Sequence, residues 1–186
     1  MKSTVNFLWN RFTMREALLL GFCATFIVLT KATLRMKLGI SGHSMLFLMF
    51  FLVLARGIVP KTGAAVLTGL LAGAISIALG LAHKGPIIML NFVLPALVLD
   101  CGGIFLPNFM TRYLSCIIIS GLAAATKGVS GALIELFAGA PMDIVLVKGF
   151  FESLGGIIFG ALGSLAVPAI IRKLQTNRLI PSSNGK

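Results

Sequence analysis

Long apolar runs, separated by short stretches that hold Pro, Gly or a charged residue, dominate this chain. A transmembrane helix needs about 20 mostly apolar residues to cross the hydrocarbon core of a bilayer. The runs are continuous and do not alternate with polar residues, which favours helices over the strands of a membrane β-barrel. Six runs reach or approach the required length, and each predicts a helix: 17–34, 44–59, 62–81, 86–106, 113–133 and 143–171.

The composition places these helices in a membrane. Of 186 residues, 58% are hydrophobic and 11% are charged, against about 25% charged residues in a typical soluble domain. The mean hydropathy of +1.02 excludes a cytosolic enzyme, a secreted disulfide domain and a disordered chain. We therefore predict an all-α integral membrane protein, a compact bundle of six transmembrane helices. Residues 1–16 form a cytoplasmic N-terminal segment, 17–171 the membrane domain and 172–186 a cytoplasmic tail.

The charge distribution predicts the orientation of the bundle. Sixteen Lys and Arg face five acidic residues, a formal net charge of +11. The basic residues are spread between the apolar runs, so we expect topology control and no nucleic-acid binding. With six spans both termini share one side, and ten of the sixteen basic residues fall there. The excess favours a multi-pass protein of the cytoplasmic membrane with both termini inside the cell.

No motif in the chain predicts catalysis. The GISG stretch at 39–42 matches the Gly-x-Ser-Gly around the nucleophile of rhomboid-type intramembrane proteases, but the last span holds no His that could act as the base. Walker A, His-Glu-x-x-His and acidic metal-site patterns are missing, and the three cysteines lie far apart without metal spacing. We expect a protein that is not an enzyme and that uses no cofactor and no metal.

Polar side chains within the spans are the functional candidates, because a polar group in hydrocarbon is costly. In the expected orientation most of them lie in the outer half, although they belong to several spans. Such convergence predicts a ligand pocket that opens to the exterior, with irregular helix geometry near Pro95 and at Gly155–Gly156 exposing further backbone groups. The candidate substrate-binding residues are His43, Asn91, Glu135, Asp143, Lys148 and Glu152.

Each candidate also has a purely structural explanation. Lys148 and Glu152 could neutralise each other on one helix face. The amide of Asn91 could bond a neighbouring helix, and His43 could be solvated at a loop end. Outside this set, Arg56 and Asp100 lie at matching depths in the other half of the bundle. We predict that these two residues form an ion pair, because each alone would be a costly charge.

Small residues recur at every fourth position in three of the spans, which allows another helix to approach closely. The first span carries Ala17, Gly21 and Thr25, the candidate docking residues for another subunit. The third and sixth spans carry the same pattern, at Ala65, Gly69 and Gly73 and at Gly156, Gly160 and Ser164.

The stretch LRMKLGISGHSMLFLMFFLVLARGIVPKTGAAVLTGLLAG resembles the first loop, the second helix, the short turn and the Gly-rich third helix of the substrate-binding S components of energy-coupling factor (ECF) transporters. The resemblance extends loosely over residues 15–172. It implies capture of a vitamin or related micronutrient from outside. It further implies association with a coupling transmembrane subunit and ATPase subunits, with docking through the small residues Ala17, Gly21 and Thr25. Relatives that bind cobalt or nickel use an N-terminal Met-His, whereas Lys2 stands here, so no metal is expected.

Two other functions stay open from the sequence. One is a structural or assembly membrane protein without a small ligand. The other is a small stand-alone transporter or channel, although a channel would more often carry a polar stripe through the full depth of the membrane. The outer half mixes Lys with acidic residues, so an anionic, zwitterionic or neutral heterocyclic substrate is equally allowed.

Overall fold

The structure is a computed structural model, and it describes residues 12–35, 44–81, 86–106 and 112–177. These residues form six helical rods, as the apolar runs predict, and the all-helical class is confirmed. The last rod consists of two helices joined at Ala166. The α-helices are α1 (Met14–Arg35), α2 (Ser44–Ile58), α3 (Ala64–Ala78), α4 (Leu90–Phe105, preceded by a 3-10 turn at Pro86–Met89), α5 (Tyr113–Phe137), α6 (Met142–Leu165) and α7 (Val167–Thr176).

Four of the rods are long and apolar enough to cross a membrane: α1, α4 with its 3-10 turn, α5, and α6 with α7. Their outer surfaces expose large apolar side chains, among them Phe105 at 83%, Leu114 at 77% and Phe151 at 66%. Extensive exposed apolar surface is unfavourable in water and suits a lipid environment. These helices indicate a multi-pass membrane protein. The 15 residues of α2 and of α3 extend only ~22 Å each.

Local sequence signals explain most helix ends. Thr13 and Glu16 form a capping box at the start of α1, in which the Thr13 N–H donates to Glu16 Oε2 (2.8 Å). This cap starts α1 at Met14, three residues before the predicted boundary. Gly63 precedes α3 with a φ of 89°, a backbone conformation that favours glycine. At the other end of the chain, Pro168 lies in the first turn of α7, where its missing N–H costs little.

Other boundaries depart modestly from the sequence-based expectation. α5 continues to Phe137, and α7 continues to Thr176 where the tail was expected to begin at residue 172. The predicted irregularity at Gly155–Gly156 is wrong, because α6 is continuous there, and α4 is also continuous through Pro95. Since proline has no N–H, however, the carbonyl of Asn91 lacks its usual donor four residues later.

The second helix, although short, occupies the centre of the bundle. α2 contacts α1, α3, α4, α5, α6 and α7, whereas α1 packs mainly against α2 and α3 and reaches α4 through Lys31 and Phe92. Met49, Leu52 and Val53 of α2 are completely buried. The core therefore forms around α2, which is apolar except near Arg56, and α1 lies at the edge with one face that no described residue covers.

Glycines set the close approach of neighbouring helices. A Cβ added at Gly69 of α3 would lie 2.8 Å from the Phe92 carbonyl of α4. One added at Gly156 of α6 would lie 2.7 Å from the Ala124 carbonyl of α5. Both distances are too short for a real Cβ contact, so the small-residue patterns of the third and sixth spans are used inside the bundle.

Candidate functional site

Long-range contacts define the two ends of the bundle. At the near end, where α1 begins, Glu16 pairs with Lys61 and Arg172 of α7 covers the ring of Tyr113. Asp100, near the end of α4, contacts both Arg56 of α2 and the first turn of α3. The beginnings of α1, α3 and α5 and the second turn of α7 therefore lie on the same side. The far end is the opposite one, where α1, α3 and α5 finish and α6 begins. The sequence-predicted site residues that the structure describes lie in the far half.

A ladder of alternating charges joins α5 to α6 in the far half. Lys148 of α6 forms an ion pair with Glu135 of α5. One turn further along α6, Glu152 lies close enough to Lys127 of α5 for a longer-range attraction, although the two do not form an ion pair. Gly131 of α5 lies between these two pairs and leaves room for the Glu152 carboxylate, whose Oε2 would be 2.6 Å from an added Cβ. The ladder forms because α5 and α6 run antiparallel, so Lys148 and Glu152, four residues apart on α6, meet α5 in reverse order between Glu135 and Lys127, which are eight residues apart.

Lys148 therefore finds its ion-pair partner on the neighbouring helix. The pairing with Glu152 along α6, which the spacing allowed, contributes only a weaker electrostatic interaction. The side chain of Glu135 is 12% exposed and that of Lys148 is 51% exposed. This pair consequently lies at the boundary between the protein interior and its surroundings.

The amide of Asn91 connects α4 to the same region. The Ser130 hydroxyl of α5 donates to Asn91 Oδ1 (2.5 Å) and also lies 3.0 Å from the carbonyl of Lys127. The Asn91 side chain thus bonds a neighbouring helix, as its structural explanation predicted. Its NH₂ group makes no hydrogen bond with any residue that the structure describes. A half-buried amide with unused donors can still bind a ligand.

α1 contributes a cation to this region that the sequence did not single out. Lys31 Nζ lies 4.0 Å from the centroid of the Phe92 ring, a cation–π geometry. Phe92 is completely buried and directly follows Asn91. These polar and charged residues, drawn from four helices, are called the far-end cluster: Lys31, Asn91, Lys127, Ser130, Glu135, Lys148 and Glu152.

Of the two remaining predicted residues, only Asp143 lies within the described part of the chain. Asp143 is exposed in the first turn of α6, where its charge is favourable next to the helix N-terminus. It forms no ion pair with the residues described. His43, like Lys84 and His83, lies outside the described residues. Within the described part of the chain, no three or more His, Cys, Asp or Glu residues gather in a way that could hold a metal ion.

The near half contains a separate polar network whose centre the sequence predicted. Arg56 Nε lies 3.0 Å from Asp100 Oδ1, with both side chains almost completely buried. The ion pair predicted from their matching depths is confirmed. Asp100 Oδ2 also accepts from the N–H of Val66 (2.9 Å), and Arg56 Nη1 donates to the Val59 carbonyl (3.4 Å). Together these contacts fix the turn between α2 and α3 against α4.

The small residues of the first span lie on an open face. Ala17 and Thr25 are exposed, and a Cβ added at Gly21 would meet no atom of the described chain within 4 Å. The Thr25 hydroxyl donates to the Gly21 carbonyl (2.9 Å), which satisfies that hydroxyl within its own helix. This face differs from the equivalent patterns in α3 and α6, which are filled by neighbouring helices.

Sequence reasoning missed Lys31 and Ser130 as members of the far-end cluster. A signal existed for Lys31, because it is a cation inside an apolar run. Ser130 gave none, since serine is common in membrane helices and often bonds its own backbone. Comparison with protein-family models, with curated proteins and with solved structures finds no match for this chain.

Proposed function

We propose that this protein is a membrane-embedded substrate-capture subunit that binds a small molecule at the far-end cluster. The proposal includes six spanning helices, a far end that faces the exterior and termini that face the cytoplasm. It assigns the captured substrate to the vitamins and related micronutrients, as the resemblance to ECF S components implies. No catalytic step is included.

The observation that carries the proposal is the convergence of costly groups from four helices on one half of the bundle. A single interhelical pair would be enough to join α5 to α6. Here α1 and α4 add a lysine and an amide to the same region, which helix pairing alone does not require. Three lysines and two glutamates make up the charges of the cluster, so an anionic or zwitterionic ligand would balance the excess positive charge.

Two features of Asn91 support a direct contact with the ligand. Its NH₂ group is unused by the described residues, and its backbone carbonyl has lost the donor that Pro95 cannot supply. The residue therefore offers both a donor and an acceptor at a half-buried position. The buried Phe92 ring beside it and the apolar walls of α4 and α6 suit the rings of a micronutrient.

The packing of the short helices supports their inclusion among the spans. α2 and α3 lie between longer apolar helices and contact α1 and α4. Their depth in a bilayer is therefore set by their neighbours. A helix that is shorter than the hydrocarbon core can be accommodated by local thinning of the bilayer.

The open face of α1 supports association with a partner. Ala17, Gly21 and Thr25 form a groove that no described residue fills, on a helix at the edge of the bundle. We assign this face to the coupling membrane subunit of an ECF-type importer, which would connect the protein to ATPase subunits. This assignment follows the resemblance, with the uncovered face as its structural support.

Native mass spectrometry of the purified protein, searching for a small molecule that co-purifies with it, tests ligand capture directly. For the ligand so identified, Asn91→Leu should weaken binding about 5- to 150-fold, the consequence of an unmet buried hydrogen bond of about 1–3 kcal/mol. Glu152→Gln should also weaken binding, because it removes the charge that faces Lys127. Asp143→Asn is the matched control for loss of a carboxylate, and it should bind like the parent.

The outcomes separate the parts of the proposal. Parent-like binding by both Asn91→Leu and Glu152→Gln would place the pocket elsewhere. A protein that carries no small molecule and binds none from a panel of vitamins would favour the structural or assembly role. If ligand binding is intact, Gly21→Leu should abolish transport by filling the docking groove, whereas loss of ligand binding in this variant would show that the α1 face serves internal packing.

A further inference from the structure

Exposed basic side chains gather at the near end, where α5 begins and α7 ends. Arg112 directly precedes α5, and Arg172 and Lys173 occupy the second turn of α7. All three side chains are exposed. The guanidinium carbon of Arg172 lies 5.0 Å from the centroid of the Tyr113 ring. Since Tyr113 directly follows Arg112, this contact brings the basic turn of α7 to the beginning of α5. These groups form one patch, called the basic corner: Arg112, Tyr113, Arg172 and Lys173.

The acidic residues described at this end are already engaged elsewhere. Asp100 pairs with Arg56, and Glu16 pairs with Lys61. Arg112 and Lys173 form no ion pair with the described acidic residues, so these two side chains make the basic corner positively charged. The far half is different, because Glu135 and Glu152 interleave with lysines there. The basic corner itself contains no acidic residue, whereas the far-end cluster contains two.

The basic corner lies at the boundary between polar and apolar surface. Tyr113 is the single tyrosine of the chain, and tyrosine is enriched at the level of the lipid headgroups. The next helical residues on the outside of α5 are apolar and exposed, with Leu114 at 77% and Ile118 at 59%. An acyl chain can lie along this surface while its headgroup reaches the basic residues.

The helix α7 has the corresponding amphipathic arrangement. Val167, Pro168 and Ile171 are buried, whereas Arg172 and Lys173 are exposed. α6 alone has 24 residues, or ~36 Å, which exceeds the ~30 Å hydrocarbon core, and α7 adds ten more residues. Part of the rod formed by α6 and α7 must therefore reach beyond the core, and the basic turn of α7 is the part suited to the headgroup region.

We infer that the basic corner is a binding site for the headgroup of an anionic phospholipid, with the lipid tail along Leu114 and Ile118. Arg112, Arg172 and Lys173 contact the phosphate, and the Tyr113 ring holds the Arg172 guanidinium in place. A free phosphate ion would use the same charges but would gain nothing from the adjoining apolar surface. The site does not depend on the ligand cluster at the far end.

Native mass spectrometry in detergent tests this site by competition between phosphatidylglycerol and phosphatidylcholine with identical acyl chains. The parent protein should bind phosphatidylglycerol at least about 5-fold more than phosphatidylcholine, since one basic residue at an anionic surface contributes about that factor. The triple variant Arg112→Gln, Arg172→Gln, Lys173→Gln should bind the two lipids about equally. The double variant Arg112→Lys, Arg172→Lys keeps the charges and should retain the preference.

Two further measurements keep the test decisive. If the triple variant fails to fold, judged by circular dichroism, 0.5 M NaCl should reduce the preference of the parent protein, because salt screens exposed charges. Inorganic phosphate at 10 mM should not displace the bound lipid. Equal binding of both lipids by the parent, an unchanged preference in the folded triple variant, or displacement by inorganic phosphate would each overturn the inference.

Discussion

Asp100 of α4 forms an ion pair with Arg56 of α2 and also accepts a hydrogen bond from the first turn of α3. One carboxylate oxygen pairs with Arg56 Nε at 3.0 Å. The other accepts from the Val66 N–H in the first turn of α3 (2.9 Å). Gly63 at the N-cap of α3 has no side chain that could cap the helix, so a carboxylate from another helix takes that role. The ion pair is therefore also the anchor of a helix terminus.

This double role predicts unequal effects of the two single substitutions. Arg56→Ala should lower the free energy of unfolding by about 3–5 kcal/mol, because it leaves a buried carboxylate unpaired. Asp100→Ala should cost more, since it also leaves the Val66 N–H without an acceptor. The double variant should recover part of the loss. Unfolding of the purified protein in SDS titrations measures all three, and strictly additive losses would contradict a coupled pair.

The same substitution should have opposite effects at two glycines. Gly156→Ala should destabilise the protein by about 1–3 kcal/mol, because the new Cβ would crowd the Ala124 carbonyl and push α5 away from α6. Gly21→Ala should be neutral or stabilising by up to about 1 kcal/mol, since alanine favours the helix and meets no described atom. Thermal melting of both variants checks the contrast. Equal destabilisation would mean that the α1 face is covered.

Reversing the charges of the α5–α6 ladder should reveal its pairing. Glu135→Lys places two lysines together and should lower the free energy of unfolding by about 1 kcal/mol. Adding Lys148→Glu should restore most of the loss, because the ion pair is rebuilt in the opposite sense. The single variant Lys148→Glu is the matched control. If the double reversal is no more stable than either single variant, the two residues are not partners in the membrane.

The proposed orientation predicts which thiol positions react from outside the cell. With the exposed Cys101 replaced by Ala, a cysteine at Asp143 should react with a membrane-impermeant maleimide in intact cells. A cysteine at Asn177, just after α7, should react only after the membrane is permeabilised. Both positions are exposed in the structure. The reverse pattern would invert the bundle, and labelling of both in intact cells would place the two ends on the same side.

Much of the helical frame could be predicted from the sequence. Six apolar runs locate six rods to within a few residues, because the ~20-residue length of a membrane span leaves little freedom. The Arg56–Asp100 pair was predictable for a related reason: charges are so rare in apolar spans that two of opposite sign at equal depth have few other partners. Boundaries were less accurate where a side-chain cap, as at Thr13, sets the first turn.

The function of a small-residue pattern could not be predicted from the sequence. The patterns at Gly21, Gly69 and Gly156 have the same spacing, yet α4 and α5 fill the last two and no described residue fills the first. Spacing specifies that a helix can be approached closely, but the identity of its neighbour depends on which helices meet in space. Lys148 likewise pairs with Glu135 rather than with Glu152 because α5 packs against α6, which the spacing of residues along α6 does not show.

The sequence by itself determined that this is an apolar, multi-helix chain whose few charges must find partners, because hydrocarbon tolerates neither an open backbone nor an isolated ion. Only the tertiary structure determined which residues those partners are. Arg56 pairs with Asp100, as predicted, whereas Lys148 pairs with a residue of α5. The structure also shows that Lys31 and Ser130 belong to the far-end cluster. These partners are thirteen or more positions apart in the chain, and they meet because their helices pack together. The periodicity of one helix shows which of its own faces is apolar, but it does not show which face of which other helix packs against it.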